Sequence, residues 1–585
     1  MGFYRKFFQF TLSFITLSLC LSFSSPISLA AAKLKIAMVS AEHSDFHYSG
    51  GLGHAVEGAA KSMNAQPDME VTVLAPGYAT ALENKDIQKN LKDTNARIKV
   101  PLDYHDGSPH KESEFLLWQH TNPKSKVKSL LFAHQHGGDQ NYFGNITGNG
   151  KKIYGPANIK GEAFGAWGKA VAEHILSSNY DVVVLNEWHT GFVAPFIQQA
   201  RREGRQTPKM VFAVHNMGYT EPMPGSMVQF LGLPARDFTP DGFEYHGNVS
   251  PFKAGFELSD VAYAVSKTYA GEVEQERFSK DLAGMAQKKR KHHRMLGIMN
   301  GIDDSSWDPA TAHGGKIKYA FTPDDMSGKA KGKAALQAEL GLNSNPRTPI
   351  IAFTSRISEQ KGFDYALPAL DQVLANNDVQ VVIAGDYDQD KYGDMLKGLQ
   401  EKYPDRFRHL GFNPDLEHSL TAYADIFSNP PLWEPSGLNQ MFAQKNGTAP
   451  VVSAVGGLKD SVEDGKTGYL LDLVTSNGGK DVDYKATEGN VVKALQRSLD
   501  DYHKNPAKFA EIQKAGMVIE NSWDSRLPQF RALFDYVRGE GPAKLTEASV
   551  ASEIGRSAIE LNQLAIVHGG GSSCNGLLKV LSDSK

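Results

Sequence analysis

Short continuous apolar runs, separated by stretches of helical periodicity, recur along almost the whole chain, and this alternation restricts the fold more than any other feature. The first series comprises Leu34-Lys35-Ile36-Ala37-Met38-Val39, Val71-Thr72-Val73-Leu74, and the runs at 130–132, 182–185, 211–214 and 261–265. A second series starts at Ile350-Ile351-Ala352-Phe353 and continues at 381–383, 407–410, 426–427 and 451–452. A strand apolar on both faces has to be covered on both, so the pattern predicts parallel sheets between layers of helices. At 585 residues the chain exceeds the roughly 250–300 at which one core stops growing. Near 303–322 the periodicity lapses into Asp, Pro, Gly and His, which reads as a link. The expectation is therefore two doubly wound, Rossmann-like α/β domains, 33–315 and 316–540, facing a central cleft. A last helix near 523–537 is expected to cross back to the first domain, and a tail, 541–585, is helical and then rich in Gly and Ser. In such sheets ligands bind beyond the carboxyl ends of the strands, so the strand-end loops are where chemistry is expected.

Residues 1–32 have a different character. Arg5 and Lys6 precede an apolar, hydroxyl-rich run from Phe7 to Phe23, followed by Ser28-Leu29-Ala30-Ala31-Ala32. This is the layout of a secretory signal peptide cleaved after Ala30 or Ala32. An uncleaved anchor is the competing reading, disfavoured because the run is marginal in length and broken by Thr and Ser. The expected location is periplasmic or secreted, without stable membrane insertion after cleavage. Only Cys20 and Cys574 occur; signal removal leaves one thiol and therefore no internal disulfide. No Cys/His cluster has zinc spacing, and no metal or cofactor is expected. Apolar residues at 41%, charged residues at 22% and a net charge of −4 suit a soluble globular protein with no general attraction to nucleic acid. The basic run from Lys288 to Arg294 lacks interleaved aromatics and reads as a solvated segment.

Chemistry-bearing residues gather at the strand ends. Behind the strand at 426–427 comes Trp433-Glu434-Pro435-Ser436-Gly437-Leu438, a carboxylate before a Pro and two small residues leading into a helix-like segment whose N–H groups can face an anion or a sugar. Taken alone this short string is weak, and a turn with a surface Glu explains it equally well. Val451 and Val452 lead to a glycine turn at Gly456-Gly457. After the first strand come Glu42 and then Tyr48-Ser49-Gly50-Gly51-Leu52, where paired glycines let the backbone approach a phosphate. Asn186-Glu187-Trp188-His189-Thr190-Gly191 follows the strand at 182–185, and His215-Asn216-Met217-Gly218-Tyr219 the next. In the second half Arg356 and Lys361, five residues apart on one loop, suit a diphosphate as fork and point charge. Ala384-Gly385-Asp386 ends another strand, and Phe412 lies beyond; a core Phe would look the same in sequence.

In order and spacing these segments resemble the bacterial glycogen synthase and plant starch synthase family over roughly residues 33–534. The family patterns are K-T-G-G-L, H-D-W-H-[TA]-G, [IV]-H-N-x-x-Y, S-R-L-x-x-Q-K-G, G-[AS]-G-D, E-P-C-G-L, G-T-x-P and T-G-G-L. Segments 247–255 and 299–309 further resemble F-x-K-A-G and L-N-G-[IV]-D-x-x-x-W-x-P, read as scaffold and linker. The resemblance implies a GT-B fold and a retaining transfer of glucose from a nucleotide-glucose, ADP-glucose first, to the 4-hydroxyl of an α-1,4-glucan, without a metal ion. It implies catalytic roles for Glu434, His215, Arg356 and Lys361. Gly50, Gly51, Tyr48, Phe412, Ser436, Gly437, Leu438, Gly456 and Gly457 would bind the donor, and Glu42, Glu187, His189 and Asn216 would lie on the acceptor side. His215 would hydrogen-bond a sugar hydroxyl or carry charge near the leaving group. Departures fall on the same machinery: Tyr48 stands for Lys, His54 for Asp, Asn186 for His, Glu187 for Asp, Leu432 for Arg, Ser436 for Cys and Val455 for Thr. Nucleotide-sugars are made in the cytoplasm, whereas the signal segment leads out of it. Two alternatives therefore stand beside the synthase reading: a catalytically impaired glucan- or sugar-binding protein, and a secreted glycosyltransferase with another acceptor.

Overall fold

The computed structural model describes residues 32–103, 111–135, 143 and 157–552. The expected signal segment up to residue 31, both cysteines and the tail beyond residue 552 lie outside the described residues.

The first half carries a nine-stranded sheet. Its strands are β1 (Leu34–Val39), β2 (Met69–Pro76), β3 (Leu91–Leu102), β4 (Lys111–Thr121), β5 (Lys128–Gln135), β6 (Val182–Asn186), β7 (Lys209–Val214), β10 (Val261–Ala264) and β11 (Met295–Gly297), in the order β11-β10-β7-β6-β1-β2-β5-β4-β3. A two-stranded hairpin, β8 (Glu244–Tyr245) and β9 (Asn248–Val249), lies outside it. Strand β1 is central, with Ile36 opposite Val71 on one side and Val182 on the other. Ile36, Val71 and Val182 are all buried, as continuous apolar runs in a doubly covered parallel sheet require.

The second half holds six parallel strands: β12 (Ile350–Thr354), β13 (Gln380–Ala384), β14 (Phe407–Leu410), β15 (Ile426–Asn429), β16 (Ala449–Ser453) and β17 (Tyr469–Leu471), ordered β14-β13-β12-β15-β16-β17. A small hairpin, β18 (Thr475–Ser476) with β19 (Asp481–Val482), follows.

One expectation fails at the sheet edge. The first sheet is not purely parallel, because β4 runs antiparallel to both β5 and β3. Strand β3 has no continuous apolar run; most of its residues from 91 to 97 are exposed, and its register shifts between Asp93 and Arg97. The Arg97 guanidinium forks onto the Asp93 carboxylate, with both bonds at 3.1 Å. A charged, irregular outer strand keeps a sheet edge from pairing with other chains.

The chain's far end returns to the first half. Helix Leu527–Arg538 joins that core, with Phe530 edge-on to Tyr263 at 5.3 Å and Arg531 paired with Asp68 at 2.6 Å. A Cβ on Gly58 would come within 2.1 Å of the Trp523 indole nitrogen, so glycine is what lets this segment dock. In the link, Trp307 stacks between Phe442 at 3.9 Å and His418 at 4.2 Å, which seats it on the second half.

Candidate active site

Strand-end loops from both sheets meet across the cleft. On the second half, the loop after β12 and the loop after β15 are joined by Leu432 N–H donating to the Gln360 carbonyl at 2.8 Å. This contact brings Lys361 onto Glu434, and their side chains form a direct ion pair. Glu434 is buried; pairing is what makes a carboxylate tolerable there. Arg356 stands apart, exposed, and among the described residues its guanidinium has no hydrogen-bond or ion-pair partner. An ion pair with an uncommitted guanidinium on the same loop offers a carboxylate for a sugar and cations for a diphosphate.

The glycine turn after β16 packs under this loop. Gly456 has φ +43°, and a Cβ there would meet the Glu434 carbonyl at 2.0 Å; one on Gly457 would meet the Ser436 carbonyl at 2.1 Å. Only glycine permits that approach. Their N–H groups are committed within the protein. Gly457 N–H donates to the Glu434 carbonyl at 3.1 Å, and Gly456 N–H to Glu272 Oε1 at 2.9 Å. The turn thus shapes the loop that carries Glu434. Gly437, at φ +69°, turns the chain so that Leu438 caps helix Asn439–Lys445. Ser436 is buried beneath. Phe412 is 60% exposed at the rim, with its N–H on Asp386 Oδ1 at 3.2 Å; it is not a core residue.

On the first half, the Gly50–Gly51 turn opens helix Gly51–Asn64. Gly50 N–H does not face outward: Glu42 Oε2 accepts from Ser49 N–H at 2.8 Å and from Gly50 N–H at 3.1 Å. Glu42, expected on the acceptor side, is buried and braces this turn. A Cβ on Gly51 would touch Leu438 at 3.7 Å, so the turn meets the Glu434 loop across the cleft. Tyr48 is 46% exposed, edge-on to His54 at 4.6 Å.

The loops after β6 and β7 are tied together. Glu187 has φ +67°, an uncommon backbone for a residue with a Cβ. Its buried Oε1 accepts the N–H groups of His215 and Asn216, each at 2.6 Å. Burial, only partly opposed by these amides, pushes the Glu187 carboxyl up to about 8. Asn186 Nδ2 donates to the Val39 carbonyl at 3.0 Å, which leaves its Oδ1 to accept from His215 Nε2 at 3.0 Å. His215 Nδ1 is then a hydrogen-bond acceptor. Burial lowers His215 to about 4, which favours the neutral ring. Asn216 Oδ1 accepts from Gly218 N–H at 3.0 Å. His189 is buried, its ring 4.0 Å from Trp188 and 5.4 Å from Phe164, and burial holds it neutral; it packs behind the loop.

The helix Lys267–Glu272, which follows β10, escaped the sequence reading. Besides Glu272, Ser266 Oγ donates to the Pro435 carbonyl at 2.5 Å. Thr268 donates from N–H and Oγ1 to the Asp460 carboxylate at 2.8 and 2.6 Å. The available signal was position alone: Ser266 directly follows a strand.

Comparison with known proteins agrees with this geometry. The family model for the starch synthase catalytic domain matches residues 35–288, and that for glycosyl transferases group 1 matches residues 339–476. The glycogen synthase of Anaeromyxobacter sp. (strain Fw109-5) is 32% identical over 510 residues, covering 86% of this chain and 99% of that protein. The Thermotoga maritima glycogen synthase is 29% identical over 507 residues, covering 86% and 98%. Among solved structures, the catalytic domain of starch synthase IV from Arabidopsis thaliana, bound to ADP and acarbose, superimposes with a TM-score of 0.75 at 25% identity, covering 87% of this chain and all of that one.

Proposed function

The chain belongs to the glycogen and starch synthase family of GT-B glycosyltransferases, and from that premise we propose that it transfers glucose from ADP-glucose to the end of an α-1,4-glucan with retention at the anomeric carbon. The observation that carries this reading is the Lys361–Glu434 ion pair, with the uncommitted Arg356 on the same strand-end loop as Lys361. As the bond between the anomeric carbon and the diphosphate oxygen breaks, Arg356 and Lys361 take up the negative charge of the leaving group. Such charge stabilisation is strongest in a closed, low-dielectric cleft. Glu434, on the other partner of the pair, faces the positive charge that develops on the sugar. His215, neutral with Nδ1 as acceptor, takes a hydrogen bond from a sugar hydroxyl. The incoming 4-hydroxyl loses its proton to the departing phosphate oxygen, the strongest base formed in the step. No metal ion is invoked, and the cations of the second half neutralise the diphosphate.

The N-terminal segment directs the chain out of the cytoplasm in this reading, so its donor must be met where the protein is delivered. The mass of the mature N terminus in producing cells checks export: cleavage after Ala30 or Ala32 agrees, an intact Met1 does not. A second reading, a glucan-binding protein without turnover, is favoured by Tyr48 and Val455, which replace a cation and a hydroxyl at the donor side. Transfer of labelled glucose from ADP-glucose and UDP-glucose to glycogen, beside a Glu434→Ala control, decides between them. Transfer lost in the control supports the synthase; glycogen binding without transfer from either donor supports the second reading.

A further inference from the structure

Between the loop that bears Glu434 and the β18–β19 hairpin lies an open cavity of about 460 Å³. Its walls are Leu432 and Trp433 on the donor loop, Lys480 and Asp481 on the β18–β19 hairpin, Tyr484 just after it and Arg277 from the first half. Leu432 occupies the place where related synthases carry an arginine, so the cation at that wall is supplied from the opposite half: an Arg277 terminal nitrogen donates to the Leu432 carbonyl at 3.3 Å.

Arg277 is half-buried with its guanidinium carbon 5.0 Å from the Phe278 ring centre, and among the described residues it forms no ion pair. The carboxylate that acts on it most strongly is Glu272, whose Oε1 accepts from Gly456 N–H. Lys480 is exposed and likewise unpaired among the described residues, while Asp481 accepts from Asn477. Two cations that form no ion pair among the described residues thus line the cavity, with Asp481 as the carboxylate on its wall. Tyr484 is anchored through its hydroxyl to Glu359 at 2.7 Å, and Trp433 lies against Gly218, 4.0 Å from the position of a Cβ there. Flat aromatic walls with a few placed charges suit a pyranose ring bearing an anionic substituent, which a guanidinium grips bidentately. Trp433 adjoins Glu434 in sequence, and its ring lies against the loop that follows β7.

We propose that this cavity is an acceptor-side subsite for an anionic saccharide, with Arg277 and Lys480 binding a phosphate or carboxylate substituent and Trp433 and Tyr484 bearing the sugar. The assignment rests on the glycosyl-transfer reading of the same cleft and names the class of acceptor.

The test measures calorimetric binding to the full chain of maltopentaose, of maltopentaose carrying one 6-phosphate, and of its analogue carrying one 6-carboxylate, with glucose transfer to the same three. The expected result is binding and kcat/KM at least about tenfold better for an anionic acceptor, a size typical of one charge-assisted fork. Comparing the two anionic probes separates phosphate from carboxylate. In Arg277→Ala the preference falls to near parity, in Arg277→Lys part of it survives, and raising salt shrinks it. Should Arg277→Ala fail to fold, the exposed Lys480→Ala carries the same test with a smaller loss. Equal binding of neutral and anionic oligosaccharides overturns the proposal, as does a preference untouched by both substitutions. An anionic ligand that binds more tightly but is elongated no better than the neutral one overturns the acceptor role. Absence of transfer to all three, with the anionic binding preference intact, overturns the synthase reading while leaving the charge recognition standing.

Discussion

The two walls of the cleft use ionisable residues in opposite ways. The wall built on the second sheet keeps its groups as ions: Lys361 and Glu434 neutralise each other and Arg356 remains in solvent. The wall built on the first sheet holds the groups that burial discharges. Glu187 is raised to about 8, His215 is lowered to about 4 and His189 is driven neutral, while Tyr48 stands where a lysine would add charge. The difference teaches that charge stabilisation here is one-sided, with the first wall shaping the site through neutral hydrogen bonds. A buried group keeps its charge only where a partner offsets its desolvation.

The largest expected effect tests the charged wall. Glu434→Ala should lower kcat by about 10³-fold or more, comparable with losing a principal electrostatic contact, measured as glucose transfer at saturating donor; a loss below tenfold would break the assignment. Arg356→Ala should cost about 10²-fold in kcat/KM, while its exposure keeps the change in stability within about 0.5 kcal/mol. Urea denaturation beside the kinetics checks both halves of that statement.

On the other wall, Tyr48→Lys should tighten nucleotide-sugar binding by up to about tenfold, the worth of one added phosphate contact near 1.4 kcal/mol. Weaker binding in that variant would mean that the phenol itself contacts the donor. A further effect, on stability rather than on transfer, concerns Glu187, whose carboxyl is raised from 4.5 to about 8. Its contribution is fully present below pH 4.5 and is lost as pH rises toward 8, at up to about 1.4 kcal/mol per pH unit. Glu187→Gln, which mimics the protonated acid, should flatten the stability profile in that window, read from urea midpoints between pH 5 and 8.5. His215 acts with the opposite sign: lowered from 6.5 to about 4, it contributes stability above pH 6.5 that is lost as pH falls toward 4. Gln at 187 should leave that acid limb in place.

Much of this architecture could be read along the chain. The parallel strands announce themselves through continuous Val- and Ile-rich runs, because burial on both faces demands them. Strand β3 does not, since an edge strand half in solvent carries Lys, Asp and Arg where a buried one carries Val. The same contrast runs through the site. Glu434, Arg356 and Lys361 were visible as charged residues directly after strands, flanked by glycine and proline. Glu272 and Arg277 were not, since nothing near them in sequence distinguishes them from solvated helix residues.

The sequence by itself determined the two α/β halves, the loops that bear the chemistry and the residue types placed on them, because periodicity and turn signals act over a few neighbouring residues. Tertiary structure alone decided which of those groups remain ions and what each of them touches. Lys361 finds Glu434 across 73 residues, Arg277 reaches Leu432 across 155 and Glu272 reaches Gly456 across 184. Desolvation and pairing depend on distances in space that only the packed sheets set, and they leave Glu434 in an ion pair on one wall and Glu187 a raised, hydrogen-bonded carboxyl on the other.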